Sequence, residues 1–146
     1  MKRKTFKELD TNDLYAICKL RQDVFIVEQN SIYVDLDDLD QISIHYIDTN
    51  QRNEIIGYAR CREIEAGHFK IERVVLKKEA RGTGRGQTIL QTILKDIEQI
   101  GTDAKISLSA QTNALRFYQL LGFQKVGEAY DDGGIEHITM VLRYVA

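Results

Sequence analysis

At 146 residues, with 43% hydrophobic and 29% charged side chains, the chain has the size and composition of one ordinary folded domain, which excludes the disordered classes. A formal charge of −2 gives no electrostatic footprint for nucleic acid or an anionic membrane, and no stretch approaches the roughly 20 apolar residues of a membrane span. Cys18 and Cys61 stand apart, with no CxxC pair and no histidine at metal-ligand spacing, so they read as reduced thiols with no metal centre.

The basic start Met1–Lys4 is followed by Lys7, Glu8 and Asp10 where a signal peptide would need an apolar core. A single cytoplasmic domain spanning residues 1–146 is therefore expected. Residues 4–9 form a weak first strand. Asp10-Thr11-Asn12-Asp13 offers N-caps for a helix in which Leu14, Ile17, Cys18, Leu20, Arg21, Val24 and Phe25 share one face to about Glu28. An acidic loop follows with Asp35, Asp37, Asp38 and Asp40. It reads first as a solvated loop and second as a lure for a cationic acceptor, and it lacks the glycine and glutamate of a calcium loop.

Strands at 43–48 and 54–63 flank the polar turn 49–53, and a run at 69–77, rich in β-branched residues, reads as a central strand. Ile89, Leu90, Ile93, Leu94, Ile97 and Ile100 line a helix that stops at Gly101. A strand at 105–110, a short helix at 112–121 closed by Gly122, and two strands at 124–130 and 135–144 complete the chain. The order β-α-β-β-β-α-β-α-β-β predicts an α/β (α+β) fold, a central mixed sheet flanked by helices.

Between the central strand and the long helix lies Arg81-Gly82-Thr83-Gly84-Arg85-Gly86, followed by Gln87. The first N–H groups of a helix lack internal partners and carry the positive end of its dipole, and glycines let the backbone curl those groups around one anion. This is a phosphate site, with Arg81 and Arg85 adding charge. It is not a Walker loop, because Gly86-Gln87-Thr88 replaces Gly-Lys-[Ser/Thr]. It is not a dinucleotide fingerprint either, because Gln87 stands at the sixth place.

The turn matches the [Arg/Gln]-x-x-Gly-x-[Gly/Ala] signature of the GNAT family of N-acetyltransferases. The resemblance extends to Arg73-Val74-Val75-Leu76, similar to the family's central strand, and to Ala114 through Tyr118 to Gly122-Phe123, similar to its last helix. Leu20-Arg21, Val24-Phe25, Glu28-Gln29, Tyr33, the acidic loop, His45, Gly134-Ile135 and His137 resemble the ElaA-type subgroup. The resemblance implies acetyl-CoA as cosubstrate, with the pyrophosphate at residues 81–87 and the pantetheine arm along Val74, Val75 and Leu76. It also implies a cofactor contact from Gln111, where relatives carry asparagine, and direct attack by an amine in a ternary complex. Homodimer formation is an expectation from the family alone.

The same resemblance makes Tyr118 the acid that meets the leaving sulfur, and backbone N–H near Val74 or Val75 the oxyanion donor. A lysine-like amine costs about 4 to 5 kcal/mol to neutralise at pH 7, so a base is expected. Glu72, His45 and His137 are weighed for it, each with a plain structural alternative, and Glu72 and His137 are the catalytic candidates. Glu28, Gln29, Asp40, His45 and Arg73 are the acceptor-side candidates, with Asp40 and His45 the ones expected to face a pocket. The acceptor itself is left as a primary amine of a small molecule or peptide. The competing reading is a non-catalytic acyl-CoA-binding module, and possession of Tyr118 and two histidines favours the enzyme.

Overall fold

A computed structural model describes residues 1–146. The elements follow the expected order: β1 (Lys2–Thr5), α1 (Thr11–Arg21), β2 (Ile44–Thr49), β3 (Ile55–Glu65), β4 (His68–Leu76), α2 (Arg85–Glu98), β5 (Ala104–Gln111), α3 (Leu115–Leu120), β6 (Gln124–Asp132) and β7 (Ile135–Tyr144). α1 opens on a capping box in which Asp10 accepts from the Asp13 N–H at 2.7 Å and Asp13 accepts from the Asp10 N–H at 3.2 Å. It continues to Glu28, as the periodicity predicts, with the last stretch Gln22–Glu28 widened into a π-helix. Ile100 is a correction: α2 ends at Glu98 and Ile100 lies exposed in the turn before Gly101.

The seven strands form one mixed sheet in the order β1-β2-β3-β4-β5-β7-β6. On one face the isoleucines and leucines of α2 pack with Tyr118 and Phe123 against β3, β5 and β7. On the other, Ile17, Leu20 and Val24 pack against Ile47, Tyr58 and Val75. The closest approach is at Gly57, where an added Cβ would meet Ile89 and Leu76 at 2.9 Å.

The break in the sheet positions the site. The parallel strands β4 and β5 share only the pairs His68↔Lys105, Phe69↔Ile106 and Lys70↔Ser107. Each then stays with its outer neighbour, β4 with β3 to the pair Gly57↔Leu76 and β5 with β7 to the pair Gln111↔His137. The two strands therefore part in a V, leaving inner-edge backbone groups without a ladder partner. β4 also carries a bulge. Tyr58 pairs with Val75 and Arg60 with Glu72, so Arg73 and Val74 stand opposite the single residue Ala59. Arg73 absorbs the extra residue with φ of +59°.

Candidate active site

The V opens into a cleft of about 780 Å³ lined from both faces of the sheet. On the α2 side it is bounded by Val74, Leu76, Gly86, Ala114, Phe117 and Tyr118, and on the α1 side by Val24, Phe25, Glu28, Gln29 and Tyr33. The glycine turn lies at the end of the V where β4 gives way to α2. Gly82 and Gly84 have φ of +73° and +82°, and neither has a heavy atom within 4 Å of where a Cβ would be. The first α2 amide returned to the helix is that of Thr88, which donates to Gly84 O at 3.1 Å. The N–H groups of Arg85, Gly86 and Gln87 precede it at the positive end of the dipole. A Cβ at Gly86 would touch Leu76 and Phe117 at 3.5 Å, an ordinary contact, consistent with glycine or alanine at that place of the signature.

Both arginines of the turn are held by carboxylates. Arg81 makes a two-pronged pair with Glu28 at 2.7 and 3.0 Å and also donates to Leu76 O, tying the turn to the end of β4. Arg85 donates to Asp48 at 2.9 Å. Gln111, at the end of β5, donates to Gln29 at 3.1 Å across the mouth of the V. Glu28 and Gln29 thus bridge from the end of the first helix to both arms of the opening.

Tyr118 is 8% exposed, packed edge-on against Phe117 and Phe123. Burial alone pushes its hydroxyl up to about 12, so the proton stays on at neutral pH.

His137 sits on β7 opposite Gln111 and stacks on the Tyr130 ring at 6.4 Å. Its Nδ1 lies 2.7 Å from Ile135 O. A carbonyl only accepts, so the neutral ring carries its proton on Nδ1 and keeps the Nε2 lone pair free. Glu72 also lines the cleft, but both oxygens are taken, by Arg60 at 2.6 Å and Arg62 at 2.7 Å. Burial works to raise its carboxyl, and the two arginines overcome it and hold the group below its ordinary value. The Tyr130 hydroxyl bonds Ser109, and Ser31 donates to Gly133 O, joining the segment after the first helix to the turn between β6 and β7.

The acidic loop is a correction on the sequence reading. Asp38 is exposed, but the other three carboxylates are neither free in solvent nor open to a cation. Asp35 and Asp40 are 7% and 8% exposed, and with Asp37 they surround three arginines. Arg21 pairs with Asp35 and Asp40, Arg60 with Asp37 and Asp40, and Arg73 with Asp35 and Asp37. Asp40 and His45 therefore lie in this network and not along the cleft. His45, 1% exposed, is fixed by the Tyr58 hydroxyl at 2.6 Å and Asp40 O at 2.9 Å, and burial holds it below its ordinary value. Arg73 borders the cleft with its guanidinium engaged by the two aspartates.

Residues 24–144 match the family model described as Acetyltransferase (GNAT) domain. The chain belongs to the GNAT acetyltransferase family. Protein ElaA from Escherichia coli K12 is 35% identical over 137 residues, covering 91% of this chain and 89% of ElaA. The crystal structure of E. coli ElaA superposes with a TM-score of 0.88 at 32% identity, covering 96% of each chain. The crystal structure of an acyl-CoA N-acyltransferase from Pseudomonas aeruginosa gives a TM-score of 0.87 at 31% identity, covering 96% of this chain and 97% of that one. A Synechocystis relative, UPF0039 protein sll0451, is 34% identical over 140 residues, 94% of this chain and 91% of its own length.

As in the signature that announced it, this ElaA-like GNAT chain brings Val74, Val75, Leu76, Arg81, Gly86, Gln111 and Tyr118 to one cleft, together with Glu28, Gln29, Glu72, Arg73 and His137. Sequence reasoning missed Asn113, Phe117, Ser109 and Asp132, which also line it. Asn113 and Phe117 flank Ala114 in the stretch leading to Tyr118, and that proximity was the available signal. Ser109 and Asp132 meet the cleft only through the β5–β7–β6 pairing, which no local pattern announces.

Proposed function

We propose that the protein is an acetyl-CoA-dependent N-acetyltransferase that transfers acetyl to a primary amine of a small molecule or peptide by direct attack in a ternary complex. The observation that carries this reading is the V between β4 and β5, which ends at the curled amides of residues 82–87 and has Tyr118 in its wall. The open inner edge of β4 offers Val74 to Leu76 as a strand-like partner for the amides of a pantetheine arm. The diphosphate rests on the α2 N-terminus. The relatives' description as acyl-CoA N-acyltransferase and GNAT acetyltransferase supports the same cosubstrate.

The residues then divide the reaction. His137 Nε2 takes the proton from the attacking nitrogen, a role for which its free lone pair suits it better than the doubly paired Glu72. The N–C bond forms at the thioester carbonyl, whose oxygen is met by N–H groups at the β4 bulge, and the C–S bond breaks as Tyr118 donates towards the sulfur. Gln29, Tyr33, Ser109 and Asp132 form the acceptor wall. Incubation with acetyl-CoA, a panel of amines and a thiol dye tests the proposal. Thiol release that requires both protein and amine supports it. Coenzyme A binding without release on any amine supports an acyl-CoA-binding module instead.

A further inference from the structure

We infer that the acidic loop is an ionic clamp on the β4 bulge: Asp35 and Asp37, acting through Arg73, hold the backbone in the shape that presents N–H groups to the thioester carbonyl. The inference rests on the acetyltransferase reading above, and both aspartates are positioning residues.

A long side chain at φ of +59° inside a strand is uncommon, and such strain persists only where the surroundings over-determine it. Here they do. Arg73 Nε lies 2.9 Å from Asp35, and Nη2 lies 3.1 Å from Asp37 and donates to Asp35 O at 3.0 Å. The guanidinium sits 5.4 Å from the centre of the Tyr33 ring, whose hydroxyl donates to Asp35 at 2.7 Å. The preceding residue is gripped from the other side, because Arg60 and Arg62 hold Glu72. Arg60 closes the circuit by pairing with Asp37 and Asp40, and Arg21 anchors Asp35 and Asp40 to α1.

The loop itself is built inside out. Ile32, Val34 and Leu36 are 97%, 75% and 60% exposed, while Asp35 points inward. Apart from the Tyr33 ring, which packs edge-on against Phe25, this segment is held by its ion pairs. Its alternation delivers carboxylates to the bulge. The bulge in turn shifts the parity of β4, so that Glu72 faces the ion network while Val74 and Leu76 pack with the α2 core. Without it, the regular alternation of the strand would turn one of the two successive amides, Arg73 or Val74, back to the β3 ladder.

The comparison of Arg73→Ala with Arg73→Gly tests this, because both lose the guanidinium but only glycine adopts positive φ freely. Two readouts do not depend on an acceptor: the φ-sensitive Cα chemical shift at position 73, and the isotope-edited infrared band of bound acetyl-CoA carrying a 13C-labelled thioester carbonyl. The glycine variant is expected to keep positive φ and a lowered carbonyl frequency. The alanine variant is expected to lose both, with turnover about tenfold or more below the glycine variant and coenzyme A affinity equal to it within about twofold, since loss of one oxyanion donor costs about 10² to 10³ in kcat. Arg73→Lys, which leaves a charge for the aspartates, is expected to recover part of the alanine loss. Asp37→Asn, a milder change, is expected to lower kcat without weakening coenzyme A binding. An alanine variant that keeps positive φ and the full carbonyl shift overturns the clamp, as does an Asp37→Asn protein with unaltered kcat. A wild-type complex with no carbonyl shift contradicts the polarisation reading instead, and the φ comparison still judges the clamp.

Discussion

Gly84→Asp separates folding from cofactor binding. Gly84 is the N-cap of α2 at φ +82°, ψ 1°, with nothing within 4 Å of a built Cβ, so an aspartate fits without a clash. Its left-handed backbone costs about 1 kcal/mol, and a carboxylate at a helix N-terminus returns about 0.3 to 1 kcal/mol. The melting temperature should fall by no more than about 5 °C. Binding is another matter. A carboxylate placed about 5 Å from a diphosphate charge is repelled by about 0.8 kcal/mol in a water-like medium and about 3 kcal/mol at an effective dielectric constant of 20. Two such charges give about 2 to 6 kcal/mol, a loss of about 30-fold to more than 10⁴-fold. Gly84→Asn isolates the charge, since asparagine tolerates the same backbone, and it should bind near the wild-type level. Titration calorimetry with coenzyme A, beside thermal melts of all three proteins, makes the measurement. A folded Gly84→Asp protein that binds coenzyme A within about threefold of wild type would refute the placement of the diphosphate.

Tyr118→Phe should lower kcat by about 10² or more, because it removes a positioned donor, while coenzyme A affinity in calorimetry stays constant. Glu72→Gln should cost about 3 kcal/mol in urea unfolding by stripping the fully buried Arg60 of a partner. It should leave the acid limb of the kcat/KM profile in place, and loss of that limb at unchanged stability would make Glu72 the base. Asp37, Asp40 and Glu72 are all held below their ordinary values by arginines despite burial. Unfolded carboxylates therefore bind protons first, and the stability these groups contribute is full above about pH 5 and lost as the pH falls further. His45, depressed by burial, adds to the loss below about pH 6.5, where the unfolded chain protonates it. Urea midpoints that stay level from pH 7.5 to 4 would contradict both. Gly57→Ala should destabilise by about 1 to 3 kcal/mol through overpacking against Ile89 and Leu76, read in the same unfolding assay.

Element order and the glycine-rich turn were legible because both depend on short-range signals: the 3.6-residue spacing of Ile89 to Ile97, the alternation of residues 105–110, and glycines at positions that need positive φ. The cleft was legible only through the GNAT resemblance, since the parting of β4 from β5 after Lys70↔Ser107 is set by which outer strand each follows. The face that Glu72 occupies is not legible from alternation. Alternation counted from Leu76 puts it beside Val74, and the bulge at Arg73 inserts one residue that reverses the assignment. The burial of Asp35 and Asp40 had a trace in Arg21, which falls on the apolar face of the first helix. A cation on a buried face requires carboxylates, but its partners Asp35 and Asp40 could be chosen only in three dimensions. His45 misled because a strand histidine that binds a tyrosine hydroxyl and a carbonyl cannot be told in sequence from one that faces a pocket.

The central claim is that the V between β4 and β5 holds acetyl-CoA. A crystal structure with coenzyme A soaked or co-crystallised tests it most directly. Diphosphate oxygens are expected on the amides of residues 82–87, the arm along Val74 to Leu76, and the sulfur next to the Tyr118 hydroxyl. Cofactor density elsewhere on the protein, or an arm that bypasses the gap between the two strands, would contradict it.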